Sequence, residues 1–196
     1  MKSLILKFLL VAIAIFTATS NVAFAKQSPD ELRAKLNQMS QSVLERMEKA
    51  YPESVPAVKN SYAYCTISCS SVKLGFWGTD RGRGVAVNNE TGEKIYVHMD
   101  EVSVGINFGA KEYDLLFVIT NKKAWDSFVS GKIKFSTEVS AQASDGVTGG
   151  TFADATIVAD GVWVYQVDKK GLAVELSLKG AHISPIKELH PDKNKK

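Results

Sequence analysis

Apolar residues recur at Leu32, Leu36, Met39, Val43 and Met47, the spacing of one helix face. Ser28-Pro29-Asp30-Glu31 precedes them. It offers a capping serine, a proline suited to the first helical position and a glutamate placed to close a capping box. A helix running to about Ala50 is expected. Its charges cancel, with Arg33, Lys35, Arg46 and Lys49 set against Asp30, Glu31, Glu45 and Glu48. A helix that lies on an anionic membrane draws on surplus cations, each worth about 1 kcal/mol. This one has none to spare, so its stripe is expected to cover a sheet. Tyr51-Pro52 then breaks the helix, and Pro52 to Lys59 fits a short second one.

From Tyr62 the pattern becomes that of strands. Tyr62–Ile67, Val72–Trp77 and Val85–Val87 are β-like, with Gly75, Gly78, Gly82 and Gly84 between them supplying turns, bulges or close backbone approach. Asn88-Asn89-Glu90-Thr91-Gly92 reads as a hairpin turn returning through Lys94–Met99. Val102, Val104, Ile106 and Phe108 alternate with Ser103, Gly105, Asn107 and Gly109, as in a strand with one buried face. Leu115–Ile119 is a continuous apolar run, suited to a strand covered on both faces. Asn121 is placed to cap a short helix through Phe128, whose Trp125 and Phe128 should pack on the sheet before Gly131 ends it. Further strands are expected at Ile133–Ala143, Ile157–Ala159, Val162–Val167 and Leu172–Leu178, with a glycine-dense loop at Ser144–Gly150. The fold class is α+β: a β-rich antiparallel sandwich or curled sheet with an N-terminal helical arm and one short core helix.

Residues 1–25 read as a secretory signal peptide, with Lys2 and Lys7 at the start, a greasy centre and Ala23-Phe24-Ala25 at the cleavage site. The expected mature chain begins at Lys26 and is exported, to the periplasm or the medium. Without Lys2 and Lys7 the 24 basic residues fall to 22, against 21 acidic ones. A nearly neutral chain does not advertise nucleic-acid binding. Cys65 and Cys69 leave two alternatives open. A disulfide needs a turn at Thr66–Ser68, because one regular strand would hold the two Cα atoms about 13 Å apart against a bridging limit of ~7 Å; otherwise both are free, buried thiols. Arg81-Gly82-Arg83-Gly84 lacks the strand–loop–helix setting of a phosphate loop. His98-Met99-Asp100-Glu101 reads as a solvated strand end, since consecutive residues face different ways. No nucleophile–base pair, metal-ligand spacing or nucleotide loop stands out, so no enzyme activity, metal or cofactor is expected.

Ser61-Tyr62-Ala63-Tyr64-Cys65, followed by Lys73, Gly75, Phe76, Gly82, Gly84 and Val85, is similar to the opening of the SYLF (Ysc84-type) lipid-binding domain. Ser103, Gly105, Asn107, Gly109, Tyr113, Val118, Asn121, Ala124 and Phe128 resemble its core, and Lys170–Gly180 its closing hairpin. The chain departs from the family pattern at Phe76-Trp77-Gly78-Thr79-Asp80, at Asn107 and in its two cysteines. The leader, the helical pattern and the likeness together divide the chain into a signal peptide (1–25), a helical arm (26–60), a SYLF-like domain (61–186) and a basic tail (187–196). It implies a peripheral, non-catalytic protein that binds anionic phospholipid headgroups at the cell envelope. Lys73, Phe76, Trp77, Arg81 and Arg83, with Lys111, Lys132 and Lys134 as a second cluster, are the residues expected to meet lipid. The alternative is an envelope scaffold with a protein partner and no lipid binding. Some eukaryotic members bind actin, for which an exported chain has no obvious use.

Overall fold

The computed structural model describes residues 27–135, 154–169, 178 and 180–190, and at 75–76 and 103–108 the backbone alone. The expected signal peptide, the loop at 144–150, the strand at 172–178 and the end of the tail lie outside the described residues, apart from Leu178. Helix α1 spans Pro29–Ala50 and α2 spans Ser54–Asn60. Strands β1 (Ala63–Asn88) and β2 (Lys94–Ile119) follow, then α3 (Lys122–Val129), β3 (Thr156–Ala159), β4 (Val162–Asp168) and β5 (His182–Pro185).

The start of α1 is set by the expected chemistry. The Glu31 N–H donates to Ser28 Oγ, the Ser28 N–H donates to Glu31 Oε2, and Pro29 opens the first turn. At α3 the Ala124 N–H donates to Asn121 Oδ1, and Gly131, at φ +72°, turns the chain away afterwards. Ile133–Phe135, expected to begin a strand, are irregular where described.

The pieces expected between Tyr62 and Ile119 join into two strands of 26 residues each, paired antiparallel from Ala63↔Ile119 to Val87↔Lys94. This long ribbon does not run straight. Asn89 N–H donates to Tyr62 O, Thr66 Oγ1 lies 3.5 Å from Val85 O, and Gly82 and Gly84 sit against Ile67 and Cys69. These neighbours share one antiparallel register whose fold-back point falls at 75–76, where the β1–β2 register also shifts. Each half of the ribbon therefore lies beside the other. β4 and then β3 extend the sheet beyond the last residues of β2, and β5 pairs with Val97–Asp100. The result is a curled antiparallel sheet, a half-barrel of seven strand segments.

Curling gives the sheet a concave and a convex face. Ala63, Cys65, Ile67, Cys69, Val97, Met99, Leu115, Phe117 and Ile119 fill the concave side, closed by Trp125 and Phe128 of α3 and Ile183 of β5. On the convex side α1 lays Val43 and Met47 against Leu116, Val118 and Tyr165, and Leu36 against Val85 and Tyr96. The helical arm is thus part of the core, as its neutral stripe implied. Arg46 of α1 is pinned to the fully buried Asp114 of β2, Nε to Oδ2, at 2.6 Å.

Cys65 and Cys69 are both free and buried, on the same face of one extended strand. The disulfide alternative is therefore not realised: no turn forms at Thr66–Ser68, and a continuous strand holds the sulfurs apart. Burial pushes both thiols up from the ordinary range, so they act as small apolar side chains rather than as nucleophiles.

Candidate functional site

Helix α1 covers only part of the convex face. Where the ribbon folds back, nothing among the described residues overlies it. Among the described residues, four of the five exposed large apolar side chains collect there: Val72, Leu74 (71 % exposed), Trp77 (70 % exposed) and Val102. Pairing explains their meeting. Leu74 and Trp77 flank the fold-back, and Val102 stands opposite Thr79, in line with Trp77. Val72 and Leu74 alternate with the inward Cys65, Ile67 and Cys69, Val102 alternates with the inward Met99, and Trp77, beyond the register shift at the fold-back, alternates with the buried Gly78 and Asp80, so all four turn to the convex side. Arg81, on the same face, reaches Asp100 at 3.9 Å, an exposed contact worth little.

The residues expected to meet lipid are only partly brought together. Trp77 and Arg81 join the patch; Phe76 lies at the fold-back itself. Arg83 sits further along the same face. There it lines a groove of about 660 Å³ with His98, Leu32, Ile186 and Leu189. Lys73 and Lys111 belong to the bend but carry the parity of the concave face. Lys132 and Lys134 are elsewhere, beside a cavity of about 320 Å³ that they share with Lys123 and Asp160. The expected second cluster is thus split: Lys111 lies at the bend, and Lys132 and Lys134 do not.

Sequence reasoning missed a second feature of the bend. Asp80 (6 % exposed) and Glu101 (3 % exposed) stand directly opposite each other in the β1–β2 register, on the concave side. Glu101 is thus no solvated strand end, as the run His98–Glu101 suggested. It follows Val97 and Met99 at intervals of two and shares their inward face. Asp80 Oδ1 and Glu101 Oε2 are buried without a hydrogen-bond partner. Burial first, and the Asp80 carboxylate next, push the Glu101 carboxyl up to about 7, against an opposing pull from Lys73. Tyr113 and Cys69 form the neighbouring row, hydrogen-bonded to each other, and burial raises the tyrosine hydroxyl well above its usual range. Among the described residues no cluster of three His, Cys, Asp or Glu side chains could hold a metal.

A small α+β half-barrel, helix-backed over one part of its convex face and bare at an apolar bend, is the kind of module these features define. Residues 100–191 match the family model Ysc84, described as Las17-binding protein actin regulator. That segment, a little under half of the chain, carries the likeness to the Ysc84 (SYLF) family. It is also similar to Beta cell expansion factor A of Aeromonas veronii, at 27 % identity over 152 residues, which cover 77 % of this chain and 56 % of that protein. The chain thus spans little more than half the length of that relative. The family match begins within β2, and the apolar bend straddles its first residue: Val102 lies inside it, and Val72, Leu74 and Trp77 lie before it. No described helix is long and apolar enough to cross a membrane.

Proposed function

We propose that this protein is a peripheral phospholipid-binding module of the cell envelope and that it meets the membrane with the bend of its β1–β2 ribbon. The observation that carries the reading is the gathering of Val72, Leu74, Trp77 and Val102 on one uncovered convex surface. Exposed large apolar groups scattered singly need no explanation, whereas a contiguous set marks a docking surface. A tryptophan at its tip suits the boundary between headgroups and acyl chains, where an aromatic ring with one polar edge is at home. Arg81 stands beside the patch to meet a headgroup phosphate, and Lys73 and Lys111 add positive charge at the same end. Export through the leader at 1–25 would bring the module to the envelope, and the charge-balanced α1 remains packed on the sheet throughout.

Co-sedimentation with vesicles tests this directly. The protein should pellet with phosphatidylglycerol-containing vesicles and less with neutral ones, and added salt should weaken binding only in part, because apolar insertion persists. Trp77→Ser should weaken vesicle affinity about tenfold or more, the loss expected from withdrawing one large aromatic from an apolar phase. Arg81→Gln should cost about fivefold at low salt and little at high salt. Protein that stays in the supernatant with every lipid would end this reading in favour of a protein partner for the same patch.

A further inference from the structure

The buried carboxylates lie in the same stretch of ribbon as the apolar patch, one residue away along each strand: Asp80 beside Thr79 and Arg81, Glu101 beside Val102. Like charges directly opposite each other in an antiparallel pair destabilise it, since their Cβ atoms are only about 5 Å apart. Here both groups are almost wholly withdrawn from water and each leaves an oxygen unpartnered. Unpartnered buried oxygens on two residues paired directly across a ribbon are what a shared proton resolves: one carboxyl donates, the other accepts, and a single negative charge remains.

The groups facing the pair do not supply an equivalent. Lys73 of β1 acts on Glu101 from across the row, without bringing it back to the ordinary carboxylate range. Cys69 and Tyr113 are held as neutral thiol and phenol at neutral pH by burial. Ser71, buried and level with Asp80 in the fold-back register, leaves Asp80 Oδ1 unpartnered, and Lys111 opposite Ser71 is exposed. Arg81, His98 and Asp100 have the parity of the convex face.

We propose that Asp80 and Glu101 hold one proton between them and that this proton keeps the folded-back half of the ribbon in the shape that presents its apolar patch to a membrane. The second half of the statement rests on the phospholipid reading above; the first does not. Glu101 ionises at about 7 in the folded protein against an ordinary value of 4.5. A group whose folded value is raised binds its proton more tightly folded than unfolded. Its contribution is therefore fully present below the ordinary value and is lost as pH rises through about 7. Above that point Glu101 takes up its charge opposite Asp80, and the bend, which is tied down by neither α1 nor α3, is the part of the sheet that yields. An anionic membrane would act in the opposite sense, because its surface attracts protons and its interior disfavours the second charge.

Hydrogen exchange of the backbone amides in 70–82 and 99–112, corrected for the intrinsic rate and followed from about pH 6 to about pH 8.5, reads the proton directly. In the wild-type protein local opening should grow by up to about tenfold per pH unit above 7, the limit for release of one proton. Glu101→Gln should be protected and flat over the same range, and Asp80→Asn offers a second variant that removes the same repulsion. Exchange that is flat in the wild type, or a pH dependence that survives Glu101→Gln and so belongs to another group, overturns the shared proton. So does saturable calcium uptake that Glu101→Gln abolishes, which would make the pair a cation site instead. Vesicle binding measured beside it separates the two readings. Binding that weakens from pH 6 to pH 8.5 in the wild type and holds steady in Glu101→Gln supports the whole proposal. Binding indifferent to pH overturns the link and leaves lipid binding standing. If no vesicle is bound at any pH while exchange behaves as described, the phospholipid reading fails and the shared proton remains.

Discussion

Gly84→Ala is expected to destabilise the protein severely. A Cβ at this position would run into the backbone carbonyl oxygen of Thr66, and would also sit 3.1 Å from Ile67 Cα and 2.8 Å from Ile67 Cγ1. Two of those three atoms are main chain. They move only if the two halves of the folded-back ribbon part, and both halves are paired along their other edges with β2. The loss should be about 3 kcal/mol or more, above the usual range for overpacking because no rotamer change relieves it. Gly82→Ala is the instructive contrast. Its Cβ would meet Ile67 Cγ2 and Cys69 Sγ at 2.5 and 2.8 Å, both of them side-chain atoms with some freedom to turn. About 1–3 kcal/mol is expected there. Urea unfolding of the two variants should therefore give a much lower midpoint for Gly84→Ala than for Gly82→Ala. Equal midpoints would mean that the close approach of the two ribbon halves is not what holds the sheet curled.

That close approach also marks the limit of what the chain declares about itself. The cap at Ser28, the stripe from Leu36 to Met47 and the cap at Asn121 are local patterns, and each forms as its spacing dictates. The glycines at 75, 78, 82 and 84 carry a long-range message that reads locally as a series of breaks. They separate three apparent strands in the sequence. In the fold they lie within one continuous strand, where Gly82 and Gly84 let one half pass against the other. The same gap hid the acid pair. Glu101 has the parity of Val97 and Met99, and Asp80 that of Gly82 and Gly84, so each could have been placed on the inner face. That they stand opposite one another depends on the register of β1 against β2, which the turn at Asn88–Gly92 determines at a distance from both. The candidate lipid residues were legible in the same partial way. Trp77 and Arg81 lie on the exposed convex face of the bend, but a count of lysines along the chain has no parity, and four of them fall on other faces or at another end of the fold.

In the proposed reading, the bare bend and the covered base of the ribbon divide stability from function. At the base, α1 and α3 clamp both faces, and substitutions there should be read in folding free energy. At the bend, Val72, Leu74, Trp77 and Val102 make no such packing, so their loss should be read in binding. The buried acid pair lies at the border between the two regions, which is why its protonation is expected to alter binding through the stability of the bend rather than through direct contact with a lipid.

At the covered base the second large effect is expected from Arg46→Met, which should destabilise the protein by about 3 kcal/mol. Asp114 is fully buried in β2, and Arg46 Nε supplies the hydrogen bond to its Oδ2 at 2.6 Å, while Oδ1 has no partner. Methionine preserves much of the apolar stem that packs on the sheet, so the change isolates the guanidinium. Removing one partner of a buried ion pair leaves the other as an uncompensated charge, a loss of about 3–5 kcal/mol in fully buried cases. The lower figure applies here because Arg46 is over a third exposed and water reaches its outer edge. The pair need not add net stability for this to hold: much of the loss is the penalty of leaving Asp114 alone. Arg46→Met combined with Asp114→Leu should therefore recover most of the lost stability, because the double variant buries no charge. A thermal or urea series over the four proteins gives the coupling energy. If Arg46→Met unfolds at nearly the wild-type midpoint, Asp114 is satisfied by some other group and the helix is held on the sheet by its apolar stripe alone. If the double variant is no better than the single one, the aspartate serves the strand through its shape rather than its charge.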